Sequence, residues 1–431
     1  MKTRFLSLLV VCTLVVCALA PVATAEVVEL SFWHCMGGAK GEAVQRLVDD
    51  FNASQDAVHV TAVYQSSYND VRTKLSAAAQ SGNAADLPDV VQMEAINTSF
   101  MADADYVINI QKYVDAKGYD TSKLIDVAVS TYSQNGEMIG LPFNCSAPIL
   151  WYNADLFEQA GITEIPVTYE DIIKTAKILV EKTGVRYGFA QALNGWFFES
   201  NLYSMGYYYG NNENGRVAPM TAVDDGFVEG FTRVFQTWYD VVNSGYCGNF
   251  GSTTSDTIAA FQAGQVAMFP ETPGIIADLY ASCDFKIGTA NFPLIEANEN
   301  GGTLIGGGGL YMIDTQDQAK LDASWDFIEY AISPETQSTW VKNTGYVAVT
   351  TGVYDVDSFK ALIEQDPNYA TALKELTAVP VNNVTLGANS SVVQEARAYV
   401  NEAMEKVYEG AFTAQEGAKW VADQINASLS H

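Results

Sequence analysis

Residues 27–51 read VVELSFWHCMGGAKGEAVQRLVDDF, in which a β-rich run gives way to a helical pattern. The run over 27–32 predicts a short strand that ends before the turn at Gly37-Gly38. The apolar residues that follow recur at i, i+3, i+4 and i+7, the spacing of one helix face, and they are Val44, Leu47, Val48 and Phe51. This stretch therefore predicts a strand followed by an amphipathic helix.

The same alternation continues along the chain. The pattern predicts a second strand over 58–64, a helix over 71–82 and a third strand over 89–93. Strands separated by helices are joined by right-handed crossovers, and the sheet that results is mainly parallel. The fold class predicted for this half of the chain is α/β.

Polar and aromatic residues follow each of the three predicted strands. Trp33-His34 comes after the first strand, Tyr68 after the second and Glu94 after the third. Ligands of open α/β sheets bind outside the carboxyl ends of the strands. We therefore expect a binding site along this edge.

Beyond Gly140 the pattern changes without a long linker. An aromatic strand over 149–153 leads into the helix 155–160, and a further helix begins at Thr168. The sequence predicts two α/β lobes joined by several short crossings. Residues 26–143 plus about 284–333 are assigned to the N-terminal lobe, and about 144–283 plus 334–431 to the C-terminal lobe.

A glycine-rich passage over 301–309 precedes a predicted strand at 310–313. No Lys-Ser or Lys-Thr follows it, which excludes a nucleotide-binding P-loop. Two interpretations remain open: a turn close to a hinge, or backbone amides that approach a ligand.

The first 25 residues have the form of a secretory signal. Lys2 and Arg4 precede an apolar run over 5–20, and Ala23-Thr24-Ala25 is a small-x-small cleavage site. This predicts a chain exported to the periplasm or the extracellular face. Cys17 follows a large Val16 where a lipoprotein signal has a small residue, so no lipid anchor is expected.

Composition excludes several classes of protein. Hydrophobic residues make up 48% of the chain, which excludes disorder. The net charge of −28 would repel nucleic acid and anionic membranes. His34, His59 and His431 are the only histidines, which leaves little for metal sites or histidine-based triads. We expect no metal, no cofactor and no nucleic-acid partner.

Four cysteines follow the predicted cleavage site: Cys35, Cys145, Cys247 and Cys283. In an oxidising compartment they allow three full pairings, among which the sequence does not choose. Separate buried thiols are an equally good interpretation. A Cys35 nucleophile assisted by His34 is disfavoured, because neighbours in a strand point to opposite faces.

Several motifs resemble the extracellular solute-binding proteins of ABC importers: Phe32-Trp33-His34-Cys35-Met36, Pro142-Phe143-Asn144-Cys145-Ser146-Ala147-Pro148, Trp151-Tyr152-Asn153 and Thr344-Gly345-Tyr346. Within that family the likeness is greatest to members that bind glycerol-3-phosphate or glycerophosphodiesters. It runs from Trp33 to the helix that holds Arg397. The resemblance implies the type II fold of periplasmic binding proteins, whose two lobes close on a ligand.

The resemblance also implies a set of ligand-binding residues: Tyr68, Glu94, Ser146, Trp196, Thr272, Gly307, Tyr346 and Arg397. At Thr272 the sequence departs from the family's Ser-Ser-Gly, because Pro270 and Pro273 flank it. At Leu193 some members have a second Trp, and members with Leu are suited to a diester such as glycerophosphocholine. Leu193 is therefore a candidate specificity residue.

Elementary chemistry gives the main residues their expected roles. Arg397 can offer a planar fork to a phosphate, although a surface Arg paired with Glu395 or Glu402 is the alternative. Glu94 can accept bonds from vicinal hydroxyls and should lie away from the phosphate, with a helix N-terminal carboxylate as the alternative. Trp196 can stack on glycerol or face an ammonium group, or else be an ordinary core residue.

The sequence thus predicts an exported receptor that delivers a glycerophosphodiester or glycerol-3-phosphate to the permease subunits of an ABC importer. A monomer is expected. The nearest alternative is an oligosaccharide-binding protein of a sugar importer, and the remote one is an exported hydrolase. No metal-ligand cluster or Ser-His pair favours catalysis, so the chain is not expected to be an enzyme.

Overall fold

The computed structural model describes residues 26–430. The predicted signal segment over 1–25, the candidate lipidation site Cys17 and the terminal His431 lie outside the described residues. Within 26–430, no helix is both long enough and apolar enough to cross a membrane.

The described chain alternates strands with helices. The strands are β1 Val28–His34, β2 Val58–Tyr64, β3 Val90–Glu94, β4 Ser133–Gln134, β5 Glu137–Met138, β6 Leu141–Ser146, β7 Ile149–Asn153, β8 Phe189–Ala190, β9 Cys247–Gly248, β10 Met268–Glu271, β11 Ile287–Asn291 and β12 Gly306–Met312. The α-helices are α1 Gly38–Ser54, α2 Tyr68–Ser81, α3 Thr98–Ala102, α4 Gln111–Lys117, α5 Asp126–Thr131, α6 Ala154–Ala160, α7 Tyr169–Thr183, α8 Gly195–Ser204, α9 Asn211–Gly215, α10 Asp225–Asn243, α11 Thr254–Gln262, α12 Ile276–Ser282, α13 Gln318–Ala331, α14 Pro334–Thr344, α15 Asp357–Gln365, α16 Asn368–Ala378, α17 Val393–Tyr408 and α18 Ala414–Leu429.

The first sheet has the order β2-β1-β3-β12-β6. β1 runs parallel to both β2 and β3, as the strand–helix alternation predicts. β12 is antiparallel to both of its neighbours, so β6 has the same direction as β1–β3. The sheet is therefore mainly parallel, and the carboxyl ends of β1, β2, β3 and β6 meet at one edge.

The second sheet has the order β10-β7-β11, and β7 runs antiparallel to both neighbours. This differs from the expectation of a mainly parallel sheet in each lobe. The mixed α/β class and the two-lobed type II architecture are confirmed. We call the part around the first sheet the first lobe, and the part around the second sheet with α8, α10, α17 and α18 the second lobe.

The chain crosses from the first sheet to the second through a very short connection and returns through a longer one over residues 292–305. Only Ala147-Pro148 separates β6 from β7. The return crossing lies between β11 and β12, later than the predicted boundary near residue 284, because 287–291 pairs with β7 in the second sheet. The remaining limits of the lobes stay a prediction.

Two hydrophobic cores support the lobes, and β7 contributes to both. Ile149 and Trp151 belong to the core that surrounds the first sheet, whereas Leu150 lies in the core of the second lobe. Because side chains alternate along a strand, β7 presents one face to each core. This packing fixes the base of the cleft between the lobes.

The glycine-rich passage is the clearest departure from the local prediction. Gly306–Gly309 belong to β12 itself rather than to a turn before it. Three aromatic side chains lie where a Cβ would extend from this strand: Trp196 against Gly306, Tyr68 against Gly308 and Tyr132 against Gly309. Glycine is found here because the strand is covered closely by large rings.

Candidate functional site

The polar edge of the first sheet faces the second lobe across a cavity of about 170 Å³. The first lobe contributes the ends of β3 and β6 and the start of β12, and the second lobe contributes α8 and α17. The lining residues are Glu94, Ala95, Ile96, Ser146, Asn194, Trp196, Ile305, Gly306, Gly307 and Arg397. Five of the predicted binding residues are thus brought together: Glu94, Ser146, Trp196, Gly307 and Arg397.

Arg397 lies in the cleft and is held by two carboxylates. Its Nη1 donates to Glu94 Oε1 at 3.1 Å across the cleft. Its Nε and Nη2 donate to the two oxygens of Glu199 at 3.0 and 2.7 Å. Neither Glu395 nor Glu402 is its partner. Burial alone would lower the pKa of Arg397, but Glu199 and Glu94 raise it above the ordinary value.

This arrangement differs from the expected geometry in two respects, while the ligand-binding roles of both residues stay predictions. The planar edge formed by Nε and Nη2, predicted to grip a phosphate, is taken up by the buried Glu199. Glu94 was expected to lie away from the phosphate-binding Arg, yet the two side chains form an ion pair. With both carboxylates ionised, the three groups carry a net charge of about −1.

The sequence analysis did not identify Glu199. Only 1% of its side chain is exposed, and it lies on α8 among aromatic and apolar neighbours. Glu199 directly follows the apolar stretch Gly195-Trp196-Phe197-Phe198. Its position there could have indicated a buried carboxylate, which needs a cation as its partner. Arg397, which the sequence had already indicated as a binding residue, was the cation to consider as that partner.

Gly307 and Trp196 shape the wall of the cavity. Gly307 has φ +88°, and an added Cβ would lie 1.9 Å from the carbonyl oxygen of Asn144. Only glycine fits this position. Trp196 Nε1 donates to the Leu304 carbonyl at 2.9 Å, which holds the indole ring against Gly306.

A hydrogen-bonded chain lies behind the polar edge and fixes Tyr68. Cys35 N donates to Gln92 Oε1 at 3.0 Å, and Gln92 Nε2 donates to Asn144 Oδ1 at 2.8 Å. Asn144 Nδ2 in turn donates to Tyr68 Oη at 3.0 Å. Gln92 and Asn144 are fully buried, and the sequence analysis assigned neither a role. Gln92 could have been recognised from the sequence as a polar residue among the apolar residues of strand β3.

Tyr346 and Thr272, two further predicted binding residues, are not among the residues that line this cavity. Tyr346 stacks on Trp340, with ring centroids 6.4 Å apart. Thr272 Oγ1 accepts a hydrogen bond from Gly274 N at 3.2 Å. Lys40 Nζ lies over the Tyr346 ring, 5.5 Å from its centroid. Lys40 was not predicted from the sequence, although it lies in the first turn of α1, close after the end of β1.

Leu193 does not reach the cavity. Its side chain is 1% exposed and packs in the core of the second lobe. A specificity role for Leu193 would have to act through its neighbours, and it stays a prediction.

The four cysteines are free thiols. Burial raises the pKa of Cys35 and of Cys145 to about 12, and that of Cys247 and of Cys283 to about 11. Burial also lowers the pKa of His34 to about 4, so this imidazole is neutral at pH 7. None of these groups is a ready nucleophile or base. No cluster of metal-ligating side chains is found within residues 26–430.

The chain is similar in sequence to known periplasmic binding proteins. The chain is 27% identical over 408 residues to the sn-glycerol-3-phosphate-binding periplasmic protein UgpB of Yersinia pseudotuberculosis, with 90% of this chain and 89% of that protein covered. It is 24% identical over 412 residues to the UgpB of Escherichia coli, with 94% and 93% covered.

Solved structures share the fold. UgpB from Mycobacterium tuberculosis in complex with glycerophosphocholine superposes with a TM-score of 0.78 at 18% identity, covering 93% of this chain and 98% of that one. The GacH receptor of Streptomyces glaucescens, also solved with acarbose, gives 0.77 at 22% identity, covering 94% and 99%. A family model for bacterial extracellular solute-binding proteins matches residues 46–371. The chain therefore belongs to the bacterial extracellular solute-binding protein family.

Proposed function

We propose that this protein is the exported receptor of an ABC importer and that it captures glycerol-3-phosphate or a glycerophosphodiester. The observation that carries the proposal is the cavity between the lobes, where Glu94, Arg397, Ser146 and Trp196 converge. The relatives named as glycerol-3-phosphate-binding proteins support the choice of cargo.

The groups in the cavity match a glycerol moiety. Glu94 has two carboxylate oxygens, which suit adjacent hydroxyl donors. Arg397 uses three of its five N–H groups on carboxylates, so one N–H remains on each terminal nitrogen. The Ser146 hydroxyl and the indole face of Trp196 complete a small amphipathic compartment.

The size of the cavity favours a small solute over an oligosaccharide. Pockets for drug-sized ligands have volumes of roughly 300–1,000 Å³. The 170 Å³ between Glu94, Trp196 and Arg397 is well below that range. Sugar binding therefore remains only as an outcome of the test below.

The net charge of −28 opposes an anionic cargo at long range. Surface charges are screened beyond about 8–10 Å at physiological salt, so donors inside the closed cleft outweigh the global field. A zwitterionic diester such as glycerophosphocholine is repelled least, which makes it the preferred form of the cargo.

The proposal also names the partner of the protein and the compartment in which it acts. The ligand-loaded protein would dock on the permease subunits of an importer at the periplasmic or extracellular face of the membrane. The chain acts as a monomer that returns its ligand intact, and not as an enzyme.

Calorimetric titration of the purified protein tests the proposal, with glycerol-3-phosphate, glycerophosphocholine and maltose as separate ligands. We expect one-site binding of a glycerol phosphate compound, no binding of maltose, and no choline released on prolonged incubation. Binding of maltose alone would establish the sugar-binding alternative. Release of choline would establish the hydrolase.

A further inference from the structure

The two ends of the cleft differ in how closely their cations are paired with carboxylates. At one end Arg397 is neutralised by Glu94 and Glu199, which leaves a net negative compartment. At the other end Lys40 lies beside Tyr346 and Thr272. An anionic group would therefore meet carboxylates already bonded to Arg397 at the first end, and at the second an ammonium on which Glu271 and Asp278 act only from a distance.

Three polar side chains converge around Gly274 at the Lys40 end. A Cβ built on Gly274 would lie 3.5 Å from Lys40 Nζ, 3.3 Å from Tyr346 Cζ and 3.5 Å from Thr272 Oγ1. Lys40 belongs to the first lobe, whereas Thr272 and Gly274 follow β10 of the second sheet. The ammonium, the phenol and the hydroxyl thus converge on one point beside Gly274.

Lys40 has no anion in direct contact. The ion pairs and side-chain hydrogen bonds found over residues 26–430 do not include its Nζ, and Tyr346 is its cation–π neighbour at 5.5 Å. Glu271 and Asp278 act on it from a distance, as does the Cys35 thiol. These three groups raise the pKa of Lys40, but burial lowers it by more, so that the pKa lies below its ordinary value. A half-buried ammonium is stabilised by an anion in direct contact with it.

The two ends are continuous through Tyr68. Its hydroxyl lies 2.8 Å from the Cβ position of Gly308, next to the Gly307 wall of the cavity. Both Glu94 and Tyr346 act on the same phenol. A ligand with a polyol at one end and an anion at the other can therefore contact both ends at once.

We propose that Lys40 is the specificity-determining residue that binds the anionic group of the ligand, with Tyr346 and Thr272 as hydroxyl donors beside it. This inference rests on the proposed function and fixes the orientation of the cargo. The glycerol hydroxyls lie at Glu94, Arg397 and Trp196, and the phosphate lies at Lys40. Arg397 then positions Glu94 instead of gripping the phosphate.

The test compares Lys40→Met with Lys40→Arg in calorimetric titrations with glycerol-3-phosphate. Loss of one charge-assisted contact is expected to weaken binding by roughly 10- to 100-fold in Lys40→Met. Lys40→Arg keeps the charge and should bind within a few-fold of wild type. Lys112→Met is the matched control, because Lys112 is exposed on α4, and it should bind as wild type. Unchanged thermal unfolding midpoints establish that the variants are folded.

Phosphorus NMR supplies a second readout. The second ionisation of a phosphate monoester has a pKa of about 6 in water. Next to an ammonium the bound phosphate should stay dianionic to a lower pH in wild type but not in Lys40→Met.

Two results would count against the inference. If wild type binds glycerol-3-phosphate and Lys40→Met binds it equally well, the role of Lys40 is overturned while the proposed function stands. If wild type binds neither glycerol-3-phosphate nor glycerophosphocholine, the proposed function fails and the inference fails with it.

Discussion

At the scale of single residues, the site is built around one guanidinium shared by two carboxylates. The position of Glu94 at a strand end identified it from the sequence pattern, whereas Arg397 was identified through the resemblance to the solute-binding family. Neither the pattern nor the resemblance identified Glu199, because nothing in the sequence indicates that the apolar helix α8 packs against α17. Tertiary contact decides which carboxylate a buried Arg meets.

Removing the buried partner of Arg397 should destabilise the fold. In Glu199→Ala, Arg397 loses two hydrogen bonds and keeps only the one to Glu94. We expect the free energy of unfolding to fall by about 3 kcal/mol, because an uncompensated charge is left buried. Urea denaturation measures this change. Glu395→Ala, at an exposed position of the neighbouring helix α17, should change it by less than about 0.5 kcal/mol. Equal effects of the two substitutions would contradict the assignment.

At the scale of elements, β12 shows where local prediction fails. Glycine is depleted in strands, so a run of four glycines predicts a turn. In the fold, the same glycines let Trp196, Tyr68 and Tyr132 pack directly on the strand. The strand is held by hydrogen bonds to β3 and β6. Local sequence propensity cannot predict these bonds, because they join segments that are distant in the chain.

Gly307→Ala tests the role of this strand. Gly307 and Gly161 both have positive φ, +88° and +72°, but only Gly307 faces a backbone atom where a Cβ would be. Gly161→Ala should therefore cost about 1 kcal/mol, from backbone strain alone. Gly307→Ala should cost about 3 kcal/mol or more and weaken ligand binding as well. Thermal unfolding of the two variants side by side measures the difference, and equal melting temperatures would be the contrary result.

Helix α16 carries a buried acid with a consequence for pH. Burial raises the pKa of Glu375 from 4.5 to about 7, and its Oε2 has no hydrogen-bond partner. The folded protein therefore holds a proton that the unfolded chain loses above pH 4.5, so this contribution to stability is lost as pH rises towards 7.

Glu375→Gln keeps the shape and removes the titration. Relative to wild type, the variant should gain up to about 3 kcal/mol of stability between pH 4.5 and pH 8. Urea denaturation at both pH values checks this. A difference between variant and wild type that stays constant with pH would refute the assignment.

At the scale of the whole molecule, two lobes meet across a cleft that an ion pair spans. Composition, the strand–helix alternation and a few motifs were sufficient to predict the class, the two lobes and the edge that carries the site. They did not predict the antiparallel second sheet or the late return crossing, because strand pairing between distant segments leaves no local pattern. The different pairing of Arg397 and Lys40 with carboxylates likewise appears only when both lobes are in place.

The ion pair between Glu94 and Arg397 should hold the ligand-free lobes together. In Glu94→Gln the ion pair becomes a hydrogen bond from the guanidinium to an uncharged amide, so the open form should become more populated. Small-angle X-ray scattering of ligand-free protein should then give a larger radius of gyration than the roughly 22 Å expected for a compact chain of this length. Glu395→Gln should leave the radius unchanged. An identical radius for wild type and Glu94→Gln would show that the pair does not control closure.

The identity of the solute that the protein carries decides between a glycerol phosphate compound and a sugar as its cargo. Native mass spectrometry of the protein, purified from its own source without denaturation, reports the mass of any ligand that the cleft retains. We predict an adduct with the mass of glycerol-3-phosphate or one of its diesters, and its loss from the Lys40→Met variant. A hexose oligomer in its place would contradict the account, as would a glycerol phosphate adduct that the variant retains in full.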